Sequence, residues 1–417
     1  MKQTQDMERE QPGVDGFAPV SVLMSTFNRA PYLPQAIDGL LHQTMPPRQI
    51  IVVDDGSTDE TPAILDRYGD RITVVRQENA GKSVALNRAI PSVAEEFIWV
   101  FDDDDLPVPD ALERLYGALA ENPWADFAYG PFFNWFYSQD GESRTSVARM
   151  EEFPPDELFP RLLEHCFFLQ QGSLVRTRCF RDVGGYSLTL KRSLDYEFQL
   201  RMARRYMGVR VQGPLFYYRL HDGPRGSAAD QFAGSERDRR WYEVDQVIFS
   251  ELASELRLWE YLPRNRKQEP PAQFDEKTAI FRRIGVMGRK GLWERVSADI
   301  RRLTESGLLS DDLTADQRRS LGVSFSSQFS ILSLVRSPGL TRELVAALRA
   351  ADSTELRLLC AYNLYHHTPA LRRSSEHGLF LRLLRVVIRL LGARALGRAI
   401  LYKAGLADIQ SVRVGGR

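Results

Sequence analysis

Between Val20 and Gly130, short apolar runs alternate with amphipathic stretches: VSVLM, YLPQAIDGLL, IIVV, TPAILDRY, ITVV, KSVALNRAI, FIWVF and DALERLYGALA. The continuous Ile- and Val-rich runs predict strands covered on both sides. In the first amphipathic stretch Leu33, Ile37, Leu40 and Leu41 fall on one helical face. Ser57-x-x-Glu60 and Asp110-x-x-Glu113 have capping-box spacing and predict two helix starts. The alternation predicts an α/β fold, an open and mostly parallel sheet with helices on both faces. Ligands of such sheets sit beyond the carboxyl ends of the strands, where three of the runs open into STFNR, DDGSTD and DDDD. From about Ser227 the pattern turns mainly helical, broken by the polar, Pro-containing LPRNRKQEPPAQFD, Leu262 to Asp275. The predicted organisation is a disordered segment 1–18, an α/β domain 19–226, connecting helices and linker 227–275, and a helical domain 276–417.

Composition adds few constraints. The 417 residues carry 55 basic and 55 acidic side chains, so no global field draws the chain to nucleic acid. Cys166, Cys179 and Cys360 show no C-x-x-C spacing, which points to a reducing compartment rather than a disulfide scaffold or thiolate zinc site. The N-terminus has no apolar leader and no run of 18 apolar residues occurs, so the expected location is cytoplasmic. One C-terminal stretch, 378–403, holds six basic residues and no acidic one, with Arg382, Arg385 and Arg389 on one helical face. Two readings stay open: a helix lying on the anionic inner face of a membrane, or a core or oligomer contact whose arginines reach solvent.

The four carboxylates Asp102 to Asp105 follow the apolar run FIWVF, and their mutual repulsion requires compensation. A D-x-D at a strand end suits a hard divalent cation, Mn²⁺ or Mg²⁺, shared with substrate phosphates. The alternative is a solvated acidic turn ahead of a helix capped by Asp110. An EF-hand is excluded because its sixth position is Pro107, and a P-loop ending in GKS because its first glycine position is Arg76.

Together SVLMSTFNRAPYLPQAIDGLLHQT, IIVVDDGSTDET, NAGKSVALN, FIWVFDDDDLPVPDALERL, VGGYSLTLKRSLDYEFQLRMA and YYRLH resemble the family 2 inverting glycosyltransferases of GT-A fold, over about half the chain. The resemblance implies that Thr26, Asn28 and Arg29, with Asp54 and Asp55, hold base and ribose of a nucleotide-sugar, and that Lys82 lies near its diphosphate. It places the family's D-x-D on Asp102, Asp103 and Asp104. Asp104 is then the expected metal ligand, Asp102 faces ribose or metal, and Asp105 stands behind them. The acidic base that takes the acceptor proton falls on Asp195, after the Gly184-Gly185 turn. Leu194 stands where the family often has Glu, and Glu197 is the other candidate, although helical spacing turns the two carboxylates apart. His221 is a further candidate for the metal or diphosphate.

Each assignment has a structural alternative. Asn28 and Asp54 can cap turns, Lys82 can be a solvated helix-start lysine, and Asp195 can interact with a helix dipole. Trp99 is expected in the core. The implied function is metal-dependent transfer of a sugar, from a UDP-sugar or related donor, to a glycan or lipid-linked acceptor, as in bacterial-type surface polysaccharide assembly. A catalytically silent nucleotide-sugar-binding or scaffolding relative is the rival. Acceptor selection is expected in loops around Phe132 to Arg149.

Overall fold

The computed structural model describes residues 16–137, 143–220, 236–264, 273–367 and 377–391. Two compact units divide between Arg237 and Asp238. The N-terminal polar segment through residue 15, His221 with the expected boundary at 226/227, and residues 392–403 of the basic stretch lie outside the described residues.

In the first unit the strands are β1 Ala18–Thr26, β2 Pro47–Asp54, β3 Thr73–Arg76, β4 Phe97–Val100, β5 Leu106–Pro107 and β6 Phe127–Tyr129. β7 Phe133–Tyr137, β8 Ser143–Val147, β9 Ser173–Arg176, β10 Gly208–Arg210 and β11 Phe216–Leu220 follow. Its helices are α1 Leu33–Leu41, α2 Thr61–Asp66, α3 Lys82–Ala89, α4 Ala111–Glu121, α5 Leu158–Glu164, α6 Thr177–Val183 and α7 Leu194–Arg205. The main sheet has the order β10-β6-β9-β4-β1-β2-β3. β1 lies parallel to both β2 and β4, and only β9 runs against its neighbours. The mostly parallel α/β sheet expected from the apolar runs is therefore present.

Register brings the rim together. Thr26 pairs with Asp54 and Leu23 with Val100, so the first, second and fourth strands release their loops at one edge. Val22, Val52 and Trp99 are buried between the sheet and its helices, each apolar side chain of this size stabilising by roughly 1.5–3 kcal/mol. Trp99 is fully buried, as expected, and its Nε1 donates to Gln171 O at 2.8 Å.

A second sheet, β5-β11-β7-β8, was not legible in the apolar pattern. Its β7 strand lies in the segment expected to be loops around Phe132 to Arg149 and pairs with β8 and β11. The strand is aromatic rather than Ile/Val-rich: Phe133 stacks on Tyr217 and Trp135 meets the same ring edge-on. Of the two expected capping boxes neither forms. α2 starts three residues late, after Glu60, while Asp110 does precede α4 but makes no side-chain cap and pairs with Arg114 instead.

The second unit is helical: α8 Arg237–Glu255, α9 Glu276–Arg289, α10 Trp293–Glu305, α11 Ala315–Ser324, α12 Gln328–Arg336, α13 Pro338–Ala350, α14 Thr354–His366 and a last described helix, His377–Leu391. Asp275, Thr314, Ser327, Ser337 and Ser353 each accept a backbone N–H at a helix start, which defines the short turns between them. A Cβ on Gly288 would meet Ser324 Cβ at 2.6 Å, so this glycine permits α9 and α11 to touch. In the last helix Leu383, Val386, Val387 and Leu390 are buried in contact with α12, α13 and α14. Up to Leu390 most of the apolar side of the basic stretch is thus covered by this unit, as the core reading expected, while Leu381 and Ile388 stay exposed beside the arginines. Among the described residues no helix is long and apolar enough to cross a membrane.

Candidate active site

Asn28 adopts a left-handed backbone (φ 54°), a conformation short polar side chains tolerate, and its Oδ1 accepts Thr58 N at 2.7 Å. Its own N–H donates to Ser57 Oγ at 3.0 Å. Asn28 thereby ties the loop after β1 to the loop after β2. Asp54 accepts Ser57 N at 2.9 Å and shapes the same turn, the capping behaviour considered for it. Asp55 is buried, with Oδ1 accepting Gln77 Nε2 at 2.6 Å and Ala80 N at 2.9 Å and Oδ2 accepting Gly81 N at 2.8 Å. Both its oxygens hold the NAGK loop, and through that loop they set Lys82 at the start of α3. Thr26 is buried at the end of β1, its O accepting Asp55 N at 2.9 Å.

The carboxylates after β4 are compensated one by one. Asp102 Oδ1 accepts Lys82 Nζ at 2.6 Å and Gln170 Nε2 at 2.7 Å. Arg29 lies 3.9 Å from Asp103 and 3.7 Å from Asp104. Asp105, 1% exposed, accepts Arg219 N at 2.9 Å and Gln171 Nε2 at 2.7 Å, while Arg219 Nε donates to Asp104 O at 2.8 Å. The Arg219 guanidinium packs 4.3 Å over the Trp135 ring and 5.1 Å over Tyr32.

Electrostatic shifts follow from crowding. Burial, then the neighbouring Asp104, pushes the Asp103 carboxyl up to about 7 against the pull of Arg29. Burial and the charges of Asp104 and Asp102 push Asp105 well above the carboxylate range. Burial disfavours the charge on Lys82, but Asp102, Asp195 and Asp103 outweigh it and hold the ammonium form.

Asp195 enters from α7. Burial raises its pKa, Lys82 opposes the rise and Asp102 adds to it, which puts Asp195 within electrostatic reach of the Lys82–Asp102 pair. It lines a small cavity of about 10 Å³, the size of one water, together with Gln170, Tyr186 and Gln199. The turn before it is braced. Gly185 (φ 72°) passes so close to Asn87 that a Cβ would lie 2.5 Å from Oδ1, and Asn87 exchanges two 2.8 Å hydrogen bonds with the backbone of Tyr186. Glu197 turns away, as helical spacing implied, and binds Arg201 through both oxygens at 2.5 and 2.8 Å. Arg201 in turn donates to Gly185 O at 2.7 Å, so Glu197 supports the turn. Ser193 precedes α7 in a left-handed conformation (φ 53°) without a side-chain cap.

The site therefore unites Thr26, Asn28, Arg29, Asp54, Asp55, Lys82, Asp102, Asp103, Asp104 and Asp195 in one unit. One carboxylate oxygen from each of Asp102, Asp104 and Asp105 lies within 4.8 Å of the others, a hard all-oxygen donor set that fits Mn²⁺ or Mg²⁺. Sequence reasoning gave no role to Gln170, Gln171, Arg219, Asn87 or Tyr186. The available signal was QQG between two apolar segments, polar side chains where a buried strand approaches the acidic loop.

The profile of Glycosyl transferase family 2 matches residues 21–195, from β1 to Asp195. Glycosyltransferase GlyG of Streptococcus pneumoniae is 34% identical over 257 residues, 57% of this chain and 81% of the relative. The chain belongs to glycosyl transferase family 2. The family 2 match begins in the first rim strand and ends at the carboxylate on α7, so it takes in every site residue named above except Gln199, Glu197, Arg201 and Arg219. Among other relatives, an uncharacterized glycosyltransferase of Rickettsia typhi is 29% identical over 215 residues, 50% of this chain and 66% of the relative. The chain spans 66%, 42% and 58% of the lengths of three Rickettsia relatives. A solved structure, S. aureus TarS 1-349, is 17% identical with a TM-score of 0.45, covering 93% of this chain and 91% of TarS.

Proposed function

We propose that the chain is a metal-dependent inverting glycosyltransferase that moves a sugar from a nucleoside-diphosphate donor, with UDP the first nucleotide to test, to a glycan or lipid-linked acceptor hydroxyl. The observation that carries this reading is a buried carboxylate of raised pKa, Asp195, electrostatically coupled to the Lys82–Asp102 pair beside an acidic cluster. A base with its pKa moved toward working pH is suited to accept a proton in the transition state.

In this reading the acceptor oxygen attacks the anomeric carbon as its proton passes to an Asp195 oxygen. The bond from that carbon to the diphosphate oxygen breaks, and the nucleoside diphosphate leaves with the electron pair. Asp102 and Asp104 would hold Mn²⁺ or Mg²⁺, which would supply charge stabilisation for the departing diphosphate, with Asp105 behind them. Arg29 and Lys82 add fixed positive charge at the same edge, and Asn28 with Asp54 keeps the two nucleotide loops in register. The fully buried Asp105, held by Arg219 and Gln171, fixes the backbone that presents Asp104.

A role in surface polysaccharide assembly and a cytoplasmic site of action belong to the same proposal, the latter supported by three cysteines, Cys166, Cys179 and Cys360, that are not joined in a disulfide. Contact with an anionic membrane would rest, in the last described helix, on the exposed Arg382, Arg385 and Arg389 with Leu381 and Ile388 exposed beside them. The testing experiment is a donor-hydrolysis screen of nucleotide-sugars with and without Mn²⁺. Metal-dependent release of one nucleoside diphosphate supports the reading, and no hydrolysis or transfer from any donor contradicts it.

A further inference from the structure

The Lys82 ammonium and the Asp102 carboxylate are in contact at the rim where both proposed ligands would arrive. Lys82 Nζ sits 2.6 Å from Asp102 Oδ1, and its side chain keeps 39% of its surface exposed, on the rim where a diphosphate would lie. The same oxygen accepts Gln170 Nε2 at 2.7 Å, so it carries two donors. Asp105 is engaged through both oxygens by Arg219 N and Gln171 Nε2. Asp104 has the Arg29 guanidinium at 3.7 Å. A cation that enters the cluster must therefore share Asp102 with an ammonium already in hydrogen-bonding contact.

The charge balance gives that sharing a direction. Asp102 to Asp105 bring four carboxylates, and Arg29, Lys82 and Arg219 bring three cations to the same loop. A divalent ion arriving alone meets Lys82 at close range and is opposed by it. A nucleoside diphosphate arriving with the ion supplies new negative charge for Lys82, whose four-carbon stem permits the head to swing while its backbone stays at the start of α3.

We infer that Lys82 is a resident counter-ion of Asp102 that is exchanged for the divalent ion when donor binds, transferring its charge to the diphosphate and coupling metal binding to nucleotide binding. The inference rests on the metal and nucleotide sites proposed above. It assigns Lys82 a positioning and coupling role distinct from simple phosphate attraction. Simple attraction strengthens nucleotide binding alone, whereas exchange also weakens metal binding in the absence of nucleotide. Reciprocity requires the coupling to be equal in both directions.

The test measures Mn²⁺ binding directly, from the electron paramagnetic resonance of free Mn²⁺, on the whole protein with and without UDP, or the nucleoside diphosphate chosen by the donor screen. Free Mn²⁺–nucleotide complexation is measured separately and subtracted. In the unmodified protein the nucleotide should tighten Mn²⁺ binding by about 5- to 100-fold, the usual range of such couplings. Lys82→Met should bind Mn²⁺ more tightly than the unmodified protein when nucleotide is absent, and should lose most of the coupling. Lys82→Arg keeps the charge and should retain most of the coupling, with circular dichroism melting confirming that both variants fold. If Lys82→Met leaves nucleotide-free Mn²⁺ affinity and coupling unchanged, or weakens Mn²⁺ binding without nucleotide, the exchange is overturned while the metal and nucleotide sites stand. If the unmodified protein binds neither Mn²⁺ nor nucleotide, the proposed function and the exchange fall together.

Discussion

Asn87 on α3 and Tyr186 after the Gly184-Gly185 turn are locked by a reciprocal pair of hydrogen bonds, Nδ2 to Tyr186 O and Tyr186 N to Oδ1, each 2.8 Å. The pair joins the helix that begins with Lys82 to the segment that leads into Asp195. The groups proposed for donor and acceptor, Lys82 and Asp195, are thereby tied to each other through one contact. Asn87→Ala should cost on the order of 1–3 kcal/mol, because it leaves a buried backbone N–H and carbonyl unpaired. Turnover should fall by ~10-fold or more while nucleotide affinity changes little, since a displaced base impairs orientation rather than binding. Thermal melting and separate measurement of donor affinity and kcat check this. Unchanged kcat would deny Asn87 its positioning role.

Two neighbouring aspartates should respond differently to the same isosteric change. Asp104→Asn should abolish metal-dependent nucleotide binding and turnover while melting as the unmodified protein does. Asp105→Asn alters a buried carboxylate that accepts from Arg219 and Gln171, and should primarily disturb folding or melting. Isothermal titration with Mn²⁺ and UDP, beside melting curves, separates them.

Of the eleven candidate residues, ten are described and fall in one unit, nine of them at strand ends or in the segments that follow the strands and Asp195 on α7, while His221 lies outside the described residues. Apolar runs such as IIVV and FIWV made the central strands legible. The aromatic strand FNWFY was not, since its partner β11 lies about 80 residues away and no local periodicity reports such a pairing. Hydrogen-bond partners were equally hidden. Nothing near DDDD in the chain indicates that Gln170 and Gln171, more than 60 residues on, supply the amides for Asp102 and Asp105. The resemblance assigned Asp55 to base and ribose, and in the structure its oxygens hold the backbone of the loop that leads to Lys82, a contact that no local pattern reported.

Asp103 gives stability a pH dependence of definite sign. Its carboxyl is pushed up to about 7 in the folded chain, above the ordinary carboxylate value, so the folded state holds a proton that the unfolded state has released. Stability of the metal-free protein is fully present below pH ~4 as far as this group is concerned, and falls as pH rises toward 7. Asp103→Asn removes that penalty. Its melting temperature should exceed that of the unmodified protein by ~2–4 °C at pH 7.5 and match it near pH 4, in scanning calorimetry without metal. A difference that is largest at pH 4 would reverse the sign and refute the assignment.

Removing residues 378–417 should expose the buried partners of Leu383, Val386, Val387 and Leu390 in the helical unit. The truncated chain should therefore aggregate or lose a thermal transition. A truncation that stays monomeric with unchanged melting would show that this helix contributes nothing to the core.

The most direct measurement follows the first sugar released from an α-configured nucleotide-sugar by proton NMR, before mutarotation, in the presence of Mn²⁺. In-line attack assisted by Asp195 should give the β anomer first. Asp195→Asn should bind the nucleotide as well as the unmodified protein and lose ~10²-fold or more in rate. The acid limb of the rate profile should lie above the usual carboxylate pKa, as the burial of Asp195 requires. Release of the α anomer first, or an Asp195→Asn variant of undiminished rate, would contradict inverting transfer by this carboxylate.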